Sequence, residues 1–285
     1  MASSIDTGLP ENLKKNLEHI QEEVDPSKGN QDWPFCLEGG EGSGKSGLAQ
    51  AIAIEIEGEQ FDPEKQIAFN GEDFKEKARE LGPGRVLIYD EGVDDLMATD
   101  TMTSEGRSIV KFLRKCRELN LIIIVCFPVW MEMNKKIRKN RMKTLGKAMR
   151  EGMGSNAYHY ALFWNKSQIK KSDLSSDKSS DEVKYPDPAL SVSWNNPEQA
   201  WPEIWEKYKD LKEGDIRDPE EEEDDIDLGQ IIRIVKNRSE DYIDTYGDRK
   251  YIKKELIEYD FDIGGRKSNK VKAVVERDLG LNRSE

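Results

Sequence analysis

Eight consecutive residues, Gly39-Gly40-Glu41-Gly42-Ser43-Gly44-Lys45-Ser46, combine glycines, one lysine and one hydroxyl in an order suited to holding an anion. They fit the pattern G-x-x-x-x-G-K-[ST]. In it, glycines let the backbone wrap closely, so that successive N–H groups point at phosphate oxygens. Lys45 can reach the β- and γ-phosphates of ATP, and the Ser46 hydroxyl can bind Mg²⁺. A helix beginning at Ser46 would aim its positive end at the same anion.

Chance alone produces this pattern in roughly a few per cent of chains of this length, so its surroundings decide. Pro34-Phe35-Cys36-Leu37 precedes the loop and reads as a buried strand. After the loop, "GLAQAIAIEIEG" places Leu48, Ile52 and Ile56 four residues apart, on one helical face. Strand, glycine loop and helix is the context the motif requires, whereas a glycine-rich surface turn would need none of it.

A second stretch, "VLIYDE" at 86–91, supports the first. Val86 to Tyr89 reads as a buried strand that brings Asp90 to its C-terminal end, where ligands bind in open α/β sheets. Asp90 can there hold Mg²⁺ or its waters. Glu91 is the candidate to position and polarise an attacking water. Many strands end in an acid for solvation alone. An acid pair 45 residues beyond Lys45 points instead to hydrolysis. A small-molecule kinase must avoid activating water, so the pair counts against a kinase, which is the less favoured reading.

The elements that must position these residues are also legible. Residues 10–25 read as an amphipathic helix. Strands are expected at 66–70, 86–89, 121–128 and 157–164, with helices at about 73–82 and 104–119 between them. "MEMNKKIRKNRMKTLGKAMR" reads as one basic helix. This alternation implies an α/β fold: a phosphate-loop NTPase core whose mostly parallel sheet is covered by helices on both faces. Residues 165–188 are rich in Ser, Lys and Asp and read as a mobile loop or hairpin. The aromatic stretch "WNNPEQAWPEIWEKYK" reads as a closing helix packed back on the core.

The expected organisation is a lead-in at 1–30, an ATPase domain at 31–215, an acidic linker at 216–227 and a small helical unit at 228–285. In that last unit "DLGQIIRIVKNRS" and "DRKYIKKELIEYDF" both have helical periodicity, and a turn and a further helix follow. This outline fits a helix-turn-helix or winged DNA-binding unit, with Arg266, Lys267, Lys270 and Lys272 at the start of the last helix. It fits a plain helical bundle equally well.

Net charge over 285 residues is −13. That value hides an asymmetry: 218–227 carries eight acids, while 107–150 carries thirteen Lys/Arg against two acids. Such a basic run attracts DNA phosphates. Arg138 and Arg141 within it are candidates to stabilise the transferring phosphoryl of a neighbouring subunit. Three Cys without a pairing pattern, and an N-terminus without an apolar h-region, suggest a reducing, cytoplasmic setting. Two His, His19 and His159, offer no zinc constellation.

The glycine loop, the Asp-Glu pair and "IVKFLRKCRELNLIIIVCFPVWMEMNKKIRKNR" together resemble ATPases of viruses, plasmids and other mobile elements. These are related to the FtsK–HerA DNA-pumping group and to zonular-occludens-toxin-like phage proteins. The resemblance covers about residues 30–165. It implies ATP on Gly39 to Ser46, Mg²⁺ at Ser46 and Asp90, Glu91 as base, and a homo-oligomer, such as a ring, that translocates or packages DNA, associated with assembling virions. The alternative is an ATP-switched helicase loader or replication regulator with a viral or replication protein as partner. The chain departs from the pumping group in having Phe127-Pro128 where a polar sensor residue is usual, and from the toxin-like group in lacking a membrane helix.

Overall fold

The computed structural model describes residues 5–90, 96, 104–152, 157–217, 228–246, 249–261 and 265–281. The chain divides into two compact units, Met1–Asp215 and Ile216–Glu285.

The first unit begins with helix α1 (Glu11–Val24), whose Leu13, Leu17, Ile20 and Val24 are buried at helical spacing. Strand β1 (Trp33–Glu38) leads through the glycine loop into helix α2 (Lys45–Glu57). There follow β2 (Ile67–Ala68), α3 (Gly71–Glu80), β3 (Val86–Tyr89), α4 (Ser104–Lys115) and β4 (Ile122–Phe127). The unit continues with α5 (Lys135–Asn140), β5 (Thr144–Glu151), β6 (Tyr158–Asn165), α6 (Lys166–Lys171), β7 (Leu190–Ser193) and α7 (Pro202–Arg217).

The seven strands form one sheet in the order β2-β3-β4-β1-β5-β6-β7. The neighbours from β2 to β5 pair parallel, while β5–β6 and β6–β7 pair antiparallel. The mixed α/β reading holds, with an antiparallel extension on one side. β4 shows why the sheet is covered on both faces. Its Ile122, Ile124 and Cys126 join the core beneath α1 and α2, and Ile123, Val125 and Phe127 join the core beneath α3, α4 and α5. Alternate side chains of a strand point to opposite faces, so a continuous apolar run must be buried twice.

In this unit two expectations need correction. The basic helix read over 131–150 is α-helical only at Lys135–Asn140, after a 3₁₀ turn at Trp130–Glu132, and Thr144–Glu151 is strand β5. Tertiary packing overrides the local pattern there. Leu145 and Ala148 are buried, and a Cβ at Gly146 would lie 2.7 Å from Leu37 Cδ2 and 2.8 Å from Phe163 Cε1. The segment 165–188, read as a mobile loop, holds α6 and two short 3₁₀ turns, and Ile169 and Leu174 anchor it in the core.

The second unit contains α8 (Leu228–Asn237), a hairpin of β8 (Ile243–Tyr246) and β9 (Arg249–Ile252), α9 (Lys254–Phe261) and α10 (Gly265–Asp278). Ile231, Val235, Tyr242, Ile252, Ile257, Val271 and Val275 form its core. Here "DRKYIKKELIEYDF" is not helical throughout, because Arg249–Ile252 pairs as a strand with β8. The acidic run at 218–227 and the turn between α9 and α10 lie outside the described residues, as do the side chains of Arg266 and Lys267. Lys272 faces its own unit, 3.7 Å from Glu276 and over the Tyr251 ring. Among the described residues, no helix is long and apolar enough to cross a membrane.

Candidate functional site

The loop 39–46 joins the end of β1 to the start of α2, at the C-terminal edge of the parallel strands. β1 lies between β4 and β5 in the sheet, and the C-terminal edge of parallel strands is where ligands usually bind in such folds. Gly44, the residue before α2, has φ +90°, a left-handed conformation that favours glycine. A Cβ there would also sit 2.9 Å from both His159 Cδ2 and Trp194 Cζ2. The free N-terminal amides of α2 therefore open next to a loop without bulky side chains.

Lys45 Nζ donates to the carbonyls of Gly39 and Gly40, at 2.6 and 3.0 Å. Its charge is thus folded over the loop. Ser46 Oγ donates to Asp90 Oδ2 at 2.8 Å. Asp90 is 2% exposed and directly follows β3, with its N–H bonded to Ala68 O at 2.9 Å. The Tyr208 hydroxyl, from α7, donates to the same Oδ2 at 2.8 Å. Burial, and then the adjacent Asp90 carboxylate, push the Tyr208 phenol well above its ordinary value. Tyr208 is consequently a neutral donor that fixes the carboxylate. Ser43 Oγ is buried without a hydrogen-bond partner among the described residues, an unmet polar atom within the loop.

A cleft of about 1010 Å³ opens over this cluster, walled by Lys45, Ser46, Asp90, Arg150, His159 and Trp194. Glu41, Gly42 and Gly44 of the loop also line it. The hydroxyl of Ser46 and the carboxylate of Asp90 are hard oxygen donors of the kind Mg²⁺ takes, and Mg²⁺ needs only one or two protein ligands beside phosphate and water. The donor set fits that ion. Among the described residues, no group of three or more His, Cys, Asp or Glu is arranged to hold a metal.

Arg138 and Arg141 are not brought to this cleft. Arg138 is 3% exposed and donates to the carbonyls of Leu174 and Ser176. Arg141 pairs with buried Asp32, which precedes β1 at the opposite end of the strand from the loop. Both side chains hold the fold together internally, and neither has the exposure that a trans-acting arginine needs. Glu91 lies outside the described residues.

Sequence patterns alone do not assign Tyr208, beneath the cleft, or Trp194, His159 and Arg150, on its walls, to the site. Tyr208 and Trp194 belong to a stretch that reads as packing, His159 bears there only on zinc, and Arg150 belongs to the basic run. One signal is present for Tyr208. Trp205, Tyr208 and Lys212 recur at helical spacing, and Trp205 and Lys212 line the cleft that Tyr208 supports from below. The other three depend on sheet register, which the sequence does not display.

No family model and no curated protein matches the chain. Among solved structures, the N-terminal domain of zonular occludens toxin from Neisseria meningitidis is similar at 15% identity and TM-score 0.30, over 47% of this chain and 84% of that one. A chain of the E. coli MS115-1 HORMA:CdnC:Trip13 complex is similar at 17% identity and TM-score 0.33, over 50% of this chain and 63% of that one, under two-thirds of its length. At scores this low, a functional reading has to come from the geometry of the loop itself.

Proposed function

We propose that this chain is a Mg²⁺-dependent ATPase acting on DNA. The observation that carries the ATPase reading is the Ser46 Oγ–Asp90 Oδ2 hydrogen bond at 2.8 Å beside a lysine folded over its own glycine loop. Loop amides and the α2 N-terminus bind and orient the phosphates. Lys45 exchanges the carbonyls of Gly39 and Gly40 for phosphate oxygens. Ser46 and Asp90 would hold Mg²⁺, which when bound neutralises charge on the β- and γ-oxygens. Glu91, next in the chain, takes the proton of the attacking water. Tyr208 keeps Asp90 in one orientation throughout.

The DNA reading draws on a narrower surface than the basic run suggests. Arg138, Arg141 and Lys143 are tied to the interior, and Lys135 and Lys139 pair with Asp177. Five exposed cations of the run cluster on and just after α4: Arg107, Lys111, Arg114 and Lys115 on the helix and Arg117 beyond it, while Lys136 and Arg150 are exposed elsewhere. Steps of four and three residues put Arg107, Lys111 and Arg114 on one stripe of the helix, a form suited to a phosphate backbone. The DNA-translocating motor therefore rests on α4.

One feature favours the switch reading as a second. α7 carries Trp205 and Lys212 into the cleft and Tyr208 to Asp90, and then runs on in sequence toward the second unit. The two readings separate in an assay of ATP hydrolysis with and without double- and single-stranded DNA, on the wild type, Lys45→Ala and Glu91→Gln. A motor gives DNA-stimulated turnover that both variants abolish. A switch gives slow turnover and DNA affinity that ATP alone controls, which Glu91→Gln retains. Turnover indifferent to DNA, with DNA affinity indifferent to ATP, would remove both.

A further inference from the structure

We propose, on the strength of the phosphate-loop reading above, that His159 and Trp194 form the wall against which the nucleobase of the bound triphosphate stacks. This corner of the cleft then holds the base while the glycine loop holds the phosphates.

Ser46 and Asp90 fix where Mg²⁺ and the terminal phosphates belong, toward the end of β3. The rest of the nucleotide must leave the loop on another side. In the sheet order, β5 and β6 lie beyond β1 on the side away from β4 and β3. β6 is two strands past β1, roughly 10 Å at the ordinary strand spacing. The cleft extends that way: Arg150 on β5 and His159 on β6 are directly paired across the strands, and both line it.

The surface found there is aromatic. The His159 ring stacks on Trp194 with centroids 5.9 Å apart and planes 27° apart. His159 Nε2 lies 3.2 Å from the Gly42 carbonyl, which ties the ring to the loop. Trp194 follows β7 and lies against Gly44, where a Cβ would meet its Cζ2 at 2.9 Å. Pro197 lies as close to Gly47, where a Cβ would meet its Cγ at 2.9 Å. Flat ring faces therefore abut the loop and the start of α2 at Gly44 and Gly47, positions that carry no side chain of their own. Both rings line a cleft whose volume is at the upper end for ligand sites. A base has a π-face whatever its identity, so stacking on indole or imidazole suits this wall.

The test separates base from phosphate. Calorimetry on the intact chain would measure Mg²⁺-ATP and Mg²⁺-tripolyphosphate binding to the wild type, Lys45→Ala, Trp194→Ala, Trp194→Phe and His159→Ala. The wild type should bind both ligands and Lys45→Ala should weaken both; a wild type that binds neither would remove the phosphate-loop reading and this inference with it. Trp194→Ala should weaken ATP about 5–150-fold, the range for one stacked base. Tripolyphosphate should stay within about twofold, which also shows that the variant is folded, since the loop it reads remains intact. His159→Ala should act in the same selective direction, and Trp194→Phe should restore most ATP affinity. Equal weakening of both ligands in Trp194→Ala and His159→Ala, or no weakening of ATP in either, would overturn the wall while leaving the phosphate-loop reading intact.

Discussion

Single atoms around Asp90 account for most of what the site can do. One carboxylate oxygen accepts from both Ser46 and Tyr208, so the group that would face Mg²⁺ is held from two sides. Removing the phenol leaves a buried carboxylate short of a donor, a loss of about 1.5–3 kcal/mol for a hydrogen bond to a charged group. Tyr208→Phe should therefore lower the thermal midpoint by roughly 3–12 °C, measured by calorimetry. Its pH dependence has a definite sign. The folded phenol is held above its ordinary value of 10.0, so above that pH the unfolded chain releases a proton that the folded chain keeps. The stability advantage of wild type over Tyr208→Phe should thus be constant below about pH 9 and shrink above pH 10, by up to about 1.4 kcal/mol per pH unit. Denaturant titrations at stepped pH would show it; an advantage that grew with pH would contradict the assignment. Gly44→Ala forces a side chain into a left-handed conformation and against two rings. It should cost about 1–3 kcal/mol and weaken nucleotide binding, read by melting and calorimetry.

Elements show what the sequence can and cannot display. β1, the loop, α2 and β3 are legible because a loop motif and two apolar runs report local chemistry directly. Leu48 and Ile52 sit on the buried face of α2 as their spacing implies, and burial extends over every residue from Gly47 to Ile54. β5 is hidden, because Lys143 just before it and Lys147 and Arg150 within it give a basic pattern that matches a helix. Only its register between β1 and β6 makes it a strand. The same register brings Arg150 and His159 together, so a reading without β5 lacks that wall of the cleft. The cationic stripe is legible as composition but not as a surface, since Arg138 and Arg141 point inward. α4 keeps the exposed stripe, and Lys111→Glu/Arg114→Glu should flatten the log–log salt dependence of DNA binding by about 0.9 for each phosphate no longer neutralised. Stability should change by no more than about 0.5 kcal/mol per substitution at exposed positions. An unchanged salt slope would remove α4 from the DNA surface.

At the scale of the whole molecule, the chain divides into two compact units, and every described residue of the cleft belongs to the first. Residues 1–215 made alone should fold and bind Mg²⁺-ATP within about twofold of the full chain, as separate sites with no shared partners behave additively. Loss of ATP binding in that fragment would show that the second unit completes the site. The central claim is that the loop at 39–46, with Ser46 and Asp90, binds ATP for hydrolysis. Its most direct test is Mg²⁺-dependent release of the γ-phosphate by the full chain and by Lys45→Ala, with and without DNA. The structure predicts release by the wild type that Lys45→Ala reduces at least about 100-fold, the scale for losing one electrostatic stabiliser of a transition state. Release that Lys45→Ala leaves unchanged, or no release by the wild type under any of these conditions, would contradict it.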